Sequence, residues 1–87
     1  MHSETGDDWP IRLPDLGASP HPVRLSSWLV QTGDEVNSSD RLVEVLIQGV
    51  TFDLHAECCG RMGAIRLFEG AELQVGDVLG WLHRDDM

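Results

Sequence analysis

The feature that most constrains this chain is an internal repeat. A shift of 37 residues lays Trp28, Gly33, Val36, Asp40, Leu42 and Val45 on Ile65, Gly70, Leu73, Asp77, Leu79 and Leu82. One such unit has an apolar face and nothing to cover it, so the two copies must stack on each other. The expected core brings Val30, Val36, Leu42 and Val45 against Leu67, Leu73, Leu79 and Leu82. Two similar halves imply a barrel with a pseudo-two-fold axis.

The units are made of strands. Apolar residues fall in short β-branched or aromatic clusters separated by Gly, Pro, Asn, Asp and Ser, with no helical period. Strands are expected at Ile11–Leu13, Val23–Val30, Leu42–Ile47, Val50–Leu54, Met62–Leu67 and Val78–His83, with very short ones at Glu35–Val36 and Glu72–Leu73. Between Ile47 and Val50, Gln48-Gly49 reads as a tight exposed hairpin turn, because glycine supplies the positive φ such a turn needs. The expected fold class is all-β, with residues 9–84 as the domain, 1–8 as a disordered acidic N-terminal tail and 85–87 as a C-terminal tail.

Composition narrows the function. With 87 residues there is room for one domain and little room for a large enzyme cleft. Apolar runs reach only three residues, as in Trp28–Val30 and Val45–Ile47, so neither a membrane span nor a signal peptide is expected. The net charge is −9, and the segment 9–84 alone keeps ten acids against six arginines. Such a surface repels phosphate backbones, which argues against nucleic acid and anionic membrane as partners. Cys58 and Cys59 are adjacent, too close for a relaxed disulfide, and read as reduced thiols of a cytoplasmic protein.

The chain resembles the lipoyl domains of 2-oxo acid dehydrogenase complexes and, more distantly, biotinyl carrier domains, over about residues 11–83. Leu13-Pro14-Asp15-Leu16-Gly17 is similar to the Met-Pro-Asp-Leu-Gly opening of lipoyl domains. Trp28-Leu29-Val30 with Gly33-Asp34, and Glu69-Gly70 with Gly76 and Val78-Leu79, are similar to the family's two repeats. The resemblance implies a flattened barrel of two small antiparallel sheets, a barrel-sandwich hybrid. It also implies a turn in which Asp-Lys-Ala presents the lysine that lipoate acylates, the cofactor then doing the chemistry.

Here those three positions hold Gln48, Gly49 and Val50, and Leu46 stands where the family has a glutamate three residues before the lysine. All six basic side chains are arginine, so there is no lysine anywhere. Attachment needs a nucleophilic amine, and a guanidinium stays protonated at neutral pH. No cofactor is therefore expected on this chain. Four changes in one turn are more than a single lysine replacement accounts for.

The functional expectation is a non-catalytic lipoyl-like module that binds a protein, such as a 2-oxo acid dehydrogenase-type complex or a carrier-handling enzyme. The resemblance puts Leu46 facing solvent, with Ile47 and Val50 flanking the turn. Leu46, Ile47, Gln48, Gly49 and Val50 then form an apolar docking patch or, alternatively, cap the barrel. Ala18, Ser19, Pro20, His21 and Pro22 replace the family's glycine-rich surface loop beside the modified turn and offer a second contact, or merely set the loop's path. One alternative is a self-associating structural domain, a homodimer formed through the tip or a strand edge. Another is a thiol or metal protein built on His55, Cys58 and Cys59, although adjacent cysteines lack the usual zinc spacing and packing is the favoured role.

Overall fold

Alternating burial along short strands builds the molecule, and the computed structural model describes residues 8–84. The strands are β1 (Asp8–Arg12), β2 (Val23–Trp28), β3 (Glu35–Val36), β4 (Arg41–Ile47), β5 (Val50–His55), β6 (Gly60–Ile65), β7 (Glu72–Leu73) and β8 (Val78–Arg84). They form two four-stranded antiparallel sheets with orders β1-β8-β6-β3 and β5-β4-β2-β7. This is the all-β, two-sheet barrel expected. Among the described residues no helix is long and apolar enough to cross a membrane.

The repeat survives into three dimensions. Adding 37 to the bounds of β2, β3 and β4 gives those of β6, β7 and β8. The strand orders interchange in the same way, with β1 and β5 as counterparts. Each half is knitted into the other: β3 pairs with β6, while β7 pairs with β2. The amide of Gly33 donates to Met62 O at 2.7 Å and that of Gly70 to Leu25 O at 2.9 Å. Arg24 Nη1 donates to Gly70 O at 3.1 Å and Arg61 Nη1 to Gly33 O at 3.0 Å. Asp40 and Asp77 each accept from the backbone three residues earlier, Asn37 and Gln74, at 2.8 Å. These side chains satisfy turn amides that the sheets leave unpaired.

The core is shared between the halves. Val36, Leu42 and Val45 are buried, and so are Leu73, Leu79 and Leu82. Val30 and Leu67 depart from expectation: both are only half-buried, because β2 stops at Trp28 and β6 at Ile65, leaving them at the rim. Two other boundaries also shift. β1 begins at Asp8, whose carboxylate meets His83 Nδ1 at 3.0 Å, so Asp8 is a strand residue rather than part of the expected tail. β6 begins at Gly60, which lies so close to the His83 carbonyl that a Cβ has no space there. The remainder of the two expected tails lies outside the described residues.

Candidate functional site

The turn between β4 and β5 stands where the resemblance implies a modified lysine. Ile47 pairs with Val50, leaving Gln48 and Gly49 as a two-residue loop. Their φ values are 49° and 78°, both positive, as a type I′ hairpin turn requires. Gly49 meets this requirement without strain, and an added Cβ there would meet nothing within 4 Å. Position 49 is therefore a free apex that presents backbone and no side chain.

Around the apex the apolar residues divide between two faces. Val45, Ile47, Val50 and Phe52 project toward one face, and Glu44, Leu46, Thr51 and Asp53 toward the other. Ile47 is buried at 8% exposure, which corrects its expected place in an exposed patch: strand alternation turns it into the core. Leu46 is half-buried on the outer face opposite Arg24, rather than fully open to solvent. Val50 is exposed at 55%, as is Phe52 at 41%, a residue the sequence had not singled out. Both lie on the core-facing row, but β5 is the outermost strand of its sheet and leaves them exposed among the described residues. Phenylalanine in a strand normally signals core, so only the knowledge that β5 is an edge could have identified it.

The second candidate region lies at the same end. Arg24 of β2 pairs with Leu46 of β4, so the loop that feeds the start of β2 arrives beside the β4–β5 turn. In that loop Gly17 N donates to Asp15 Oδ1 at 2.9 Å and His21 N to Ala18 O at 2.7 Å, and the Ser19–Pro20 peptide is cis. Ala18 is half-buried against the core, whereas Ser19, Pro20, His21 and Pro22 are exposed. The exposed set forms a compact shoulder to the turn.

The thiol region offers less chemistry. Cys58 is half-buried and Cys59 exposed, both as free thiols. Cys59 Sγ accepts from Ser38 N at 3.4 Å. Burial pushes the Cys58 thiol above its ordinary value, and Arg84 only partly offsets this, so the nucleophilic thiolate is disfavoured. Among the described residues no three His, Cys, Asp or Glu side chains come together as metal ligands. His55 and Glu57 instead line a groove of about 270 Å³ between the edge strands β1 and β5, with Trp9, Ile11 and Leu54.

A family model for biotin and lipoyl attachment, described as "Biotin-requiring enzyme", matches residues 10–82. The chain is 34% identical over 70 residues to the dihydrolipoyllysine-residue succinyltransferase component of the 2-oxoglutarate dehydrogenase complex of Rickettsia conorii, covering 80% of this chain and 18% of that protein. It is also 34% identical over 69 residues to the lipoamide acyltransferase component of the branched-chain alpha-keto acid dehydrogenase complex of Bacillus subtilis, covering 79% and 16%. The match thus spans less than a fifth of the length of these curated relatives. Among solved structures, the lipoyl domain of the 2-oxoglutarate dehydrogenase complex of Azotobacter vinelandii superimposes with a TM-score of 0.68 at 25% identity, over 84% of this chain and 92% of that one.

Proposed function

The chain belongs to the biotin and lipoyl attachment family, and from that premise we propose that it is a member that carries no cofactor and serves as a protein-docking module. The observation that supports this reading is the apex itself: Gln48-Gly49 stands where carriers hold their lysine, and the chain contains no lysine anywhere. An amide link to lipoate or biotin needs an unprotonated amine at the moment of attack. Arginine does not supply one at neutral pH. The protein makes no bond and breaks none, so it acts by being recognised.

What remains for recognition is the end of the molecule that holds the turn and the Ser19–Pro22 shoulder. A partner that handles carrier domains, in a 2-oxo acid dehydrogenase-type complex or as a carrier-modifying enzyme, has a surface shaped for this end of the fold. Two adjacent free thiols fit a reducing, cytoplasmic setting.

The first test is an intact mass measured after incubation with a lipoate-attaching enzyme, lipoate and ATP. The wild type is expected to keep its mass, and Gly49→Lys combined with Leu46→Glu to gain one lipoyl group; modification of the wild type would refute the proposal. Docking is tested by titrating the purified dehydrogenase component with the chain. Leu46→Glu plus His21→Glu should weaken binding at least about tenfold. No binding by the wild type at ~100 μM removes the docking reading.

A further inference from the structure

The two edge strands that flank the groove are counterparts, yet only one is guarded. Pro10 of β1 pairs with Trp81 where Asp53 of β5 pairs with Glu44, and the shift of 37 relates Glu44 to Trp81. Proline at an edge removes a backbone N–H and so blocks further strand addition. At β5 the corresponding donor is intact.

The direction of that donor follows from the hairpin. In a two-residue hairpin the closing pair, here Ile47 and Val50, exchanges hydrogen bonds, and such pairs alternate along the ladder. Val50, Phe52 and Leu54 therefore point their N–H and C=O groups at β4, while Thr51 and Asp53 point theirs away from the sheet. Pro10 sits at the position equivalent to one of these outward donors. The open edge is also locally uncharged: from Val45 to Phe52 there is no ionisable side chain. The Asp53 carboxylate just beyond is held by Arg41 Nη1 at 3.2 Å.

We infer that β5 is a self-pairing edge, through which two copies of this chain join antiparallel into one continuous eight-stranded sheet, with Phe52 facing its own counterpart on the dimer axis. The chemistry selects this register. Centred on Phe52, Thr51 and Asp53 of each copy form two hydrogen-bonded pairs, which exchange four backbone bonds, and no like charges oppose each other. Centring on Asp53 sets two carboxylates face to face, which destabilises a cross-strand pair. Centring on Thr51 leaves one pair and places Asp53 against the turn glycine. In the Phe52-centred register the pair at the axis is the non-hydrogen-bonded kind, with Cα atoms ~4.5 Å apart and side chains closest. Val50 then covers Leu54 of the second copy, and the two exposed apolar residues of β5 leave water together.

A second copy fits this edge better than a charged partner because the contact is neutral on both sides. The chain's net charge of −9 still opposes association at long range, and salt screens that repulsion. The contact is confined to one strand of each copy, so the dimer is a weak one.

Sedimentation of the full chain from ~10 μM to ~1 mM tests this, with the weight-average mass expected to climb from 9.7 kDa toward twice that value and to climb further as salt is raised. Asp53→Pro, which gives β5 the device that β1 already has, should raise the dissociation constant at least about tenfold. Phe52→Arg, at an exposed position, should do the same by placing two cations on the axis, and it carries the test if Asp53→Pro misfolds. In a Cys58→Ser, Cys59→Ser background, Phe52→Cys should form an intermolecular disulfide on mild oxidation and Thr51→Cys should not. A wild type that stays monomeric at the highest concentration, or a dimer unaffected by Phe52→Arg, overturns the inference. Neither result bears on whether the apex can be lipoylated.

Discussion

The β4–β5 turn and the meeting of β8 with β1 are equivalent places in the two halves, and the chain closes only one of them. At the turn, Leu46 pairs with Thr51 and two residues of positive φ join the strands. At the other end His83 pairs with Asp8 in the corresponding register, with no connecting turn among the described residues. There the Asp8–His83 contact at 3.0 Å and the Arg84 guanidinium 5.5 Å from the Trp9 ring take the place of a covalent link. Both are exposed and contribute little individually. The two halves thus keep the same register whether or not a turn joins the strands.

That comparison can be broken most forcefully in the core. Leu42→Ala and Leu79→Ala remove counterpart side chains, each about 1% exposed or less. Each should cost about 2–5 kcal/mol in urea denaturation, and the two losses should be similar. A large difference would mean that one half stabilises the fold more than the other.

Smaller effects sharpen the contrast where the halves pack differently. Trp28 pairs with Val43, and its counterpart Ile65 pairs with Gly80. The Trp28 ring fills the space over Gly80, where an added Cβ would lie 2.9 Å from Ala64 O and 3.2 Å from Trp28 Cη2. Gly80→Ala should destabilise by about 1–3 kcal/mol through crowding. Val43→Ala should cost about 2 kcal/mol for the opposite reason, a cavity. Replacing Trp28 with Ile should relieve only part of the first, because the contact with the Ala64 carbonyl remains, and should also change the second, since Trp28 pairs with Val43; double-mutant cycles in the same denaturation curves read both couplings.

The smallest expected effect is one of sign. Ser39 and Gly76 are counterparts with φ of 78° and 92°. Their amides donate to Ala56 O and Leu13 O, both at 2.9 Å. The left-handed backbone strains serine and not glycine. Ser39→Gly should raise the melting temperature and Gly76→Ala lower it, each by an amount worth about 1 kcal/mol.

Much of this architecture is legible in the sequence. All eight strands were expected, including the two-residue β3 and β7, because turn residues bound them and the repeat gave β2, β3 and β4 second copies in β6, β7 and β8. The turn at Gln48-Gly49 was legible for the same local reason. Less legible were the strand ends: Gly60 reads as turn punctuation, yet it is a strand residue held against the His83 carbonyl. The apex patch was the least legible part. Ile47 and Val50 flank one turn in the sequence, but Ile47 lies on an inner strand and Val50 on an edge.

Local and covalent properties are what the sequence alone determined: the β period, the 37-residue repeat, the positive-φ turn and the absence of any lysine amine. Each depends on residues within a few positions of one another, or on mere presence in the chain. Only the tertiary structure decided which of two equivalent strands is guarded, why Phe52 is open while Val45 beside it is buried, and where Trp28 finds room. Those outcomes depend on which strand has a neighbour on its far side. Neighbourhood across a sheet is a property of long-range pairing, and the period of a single strand carries no record of it.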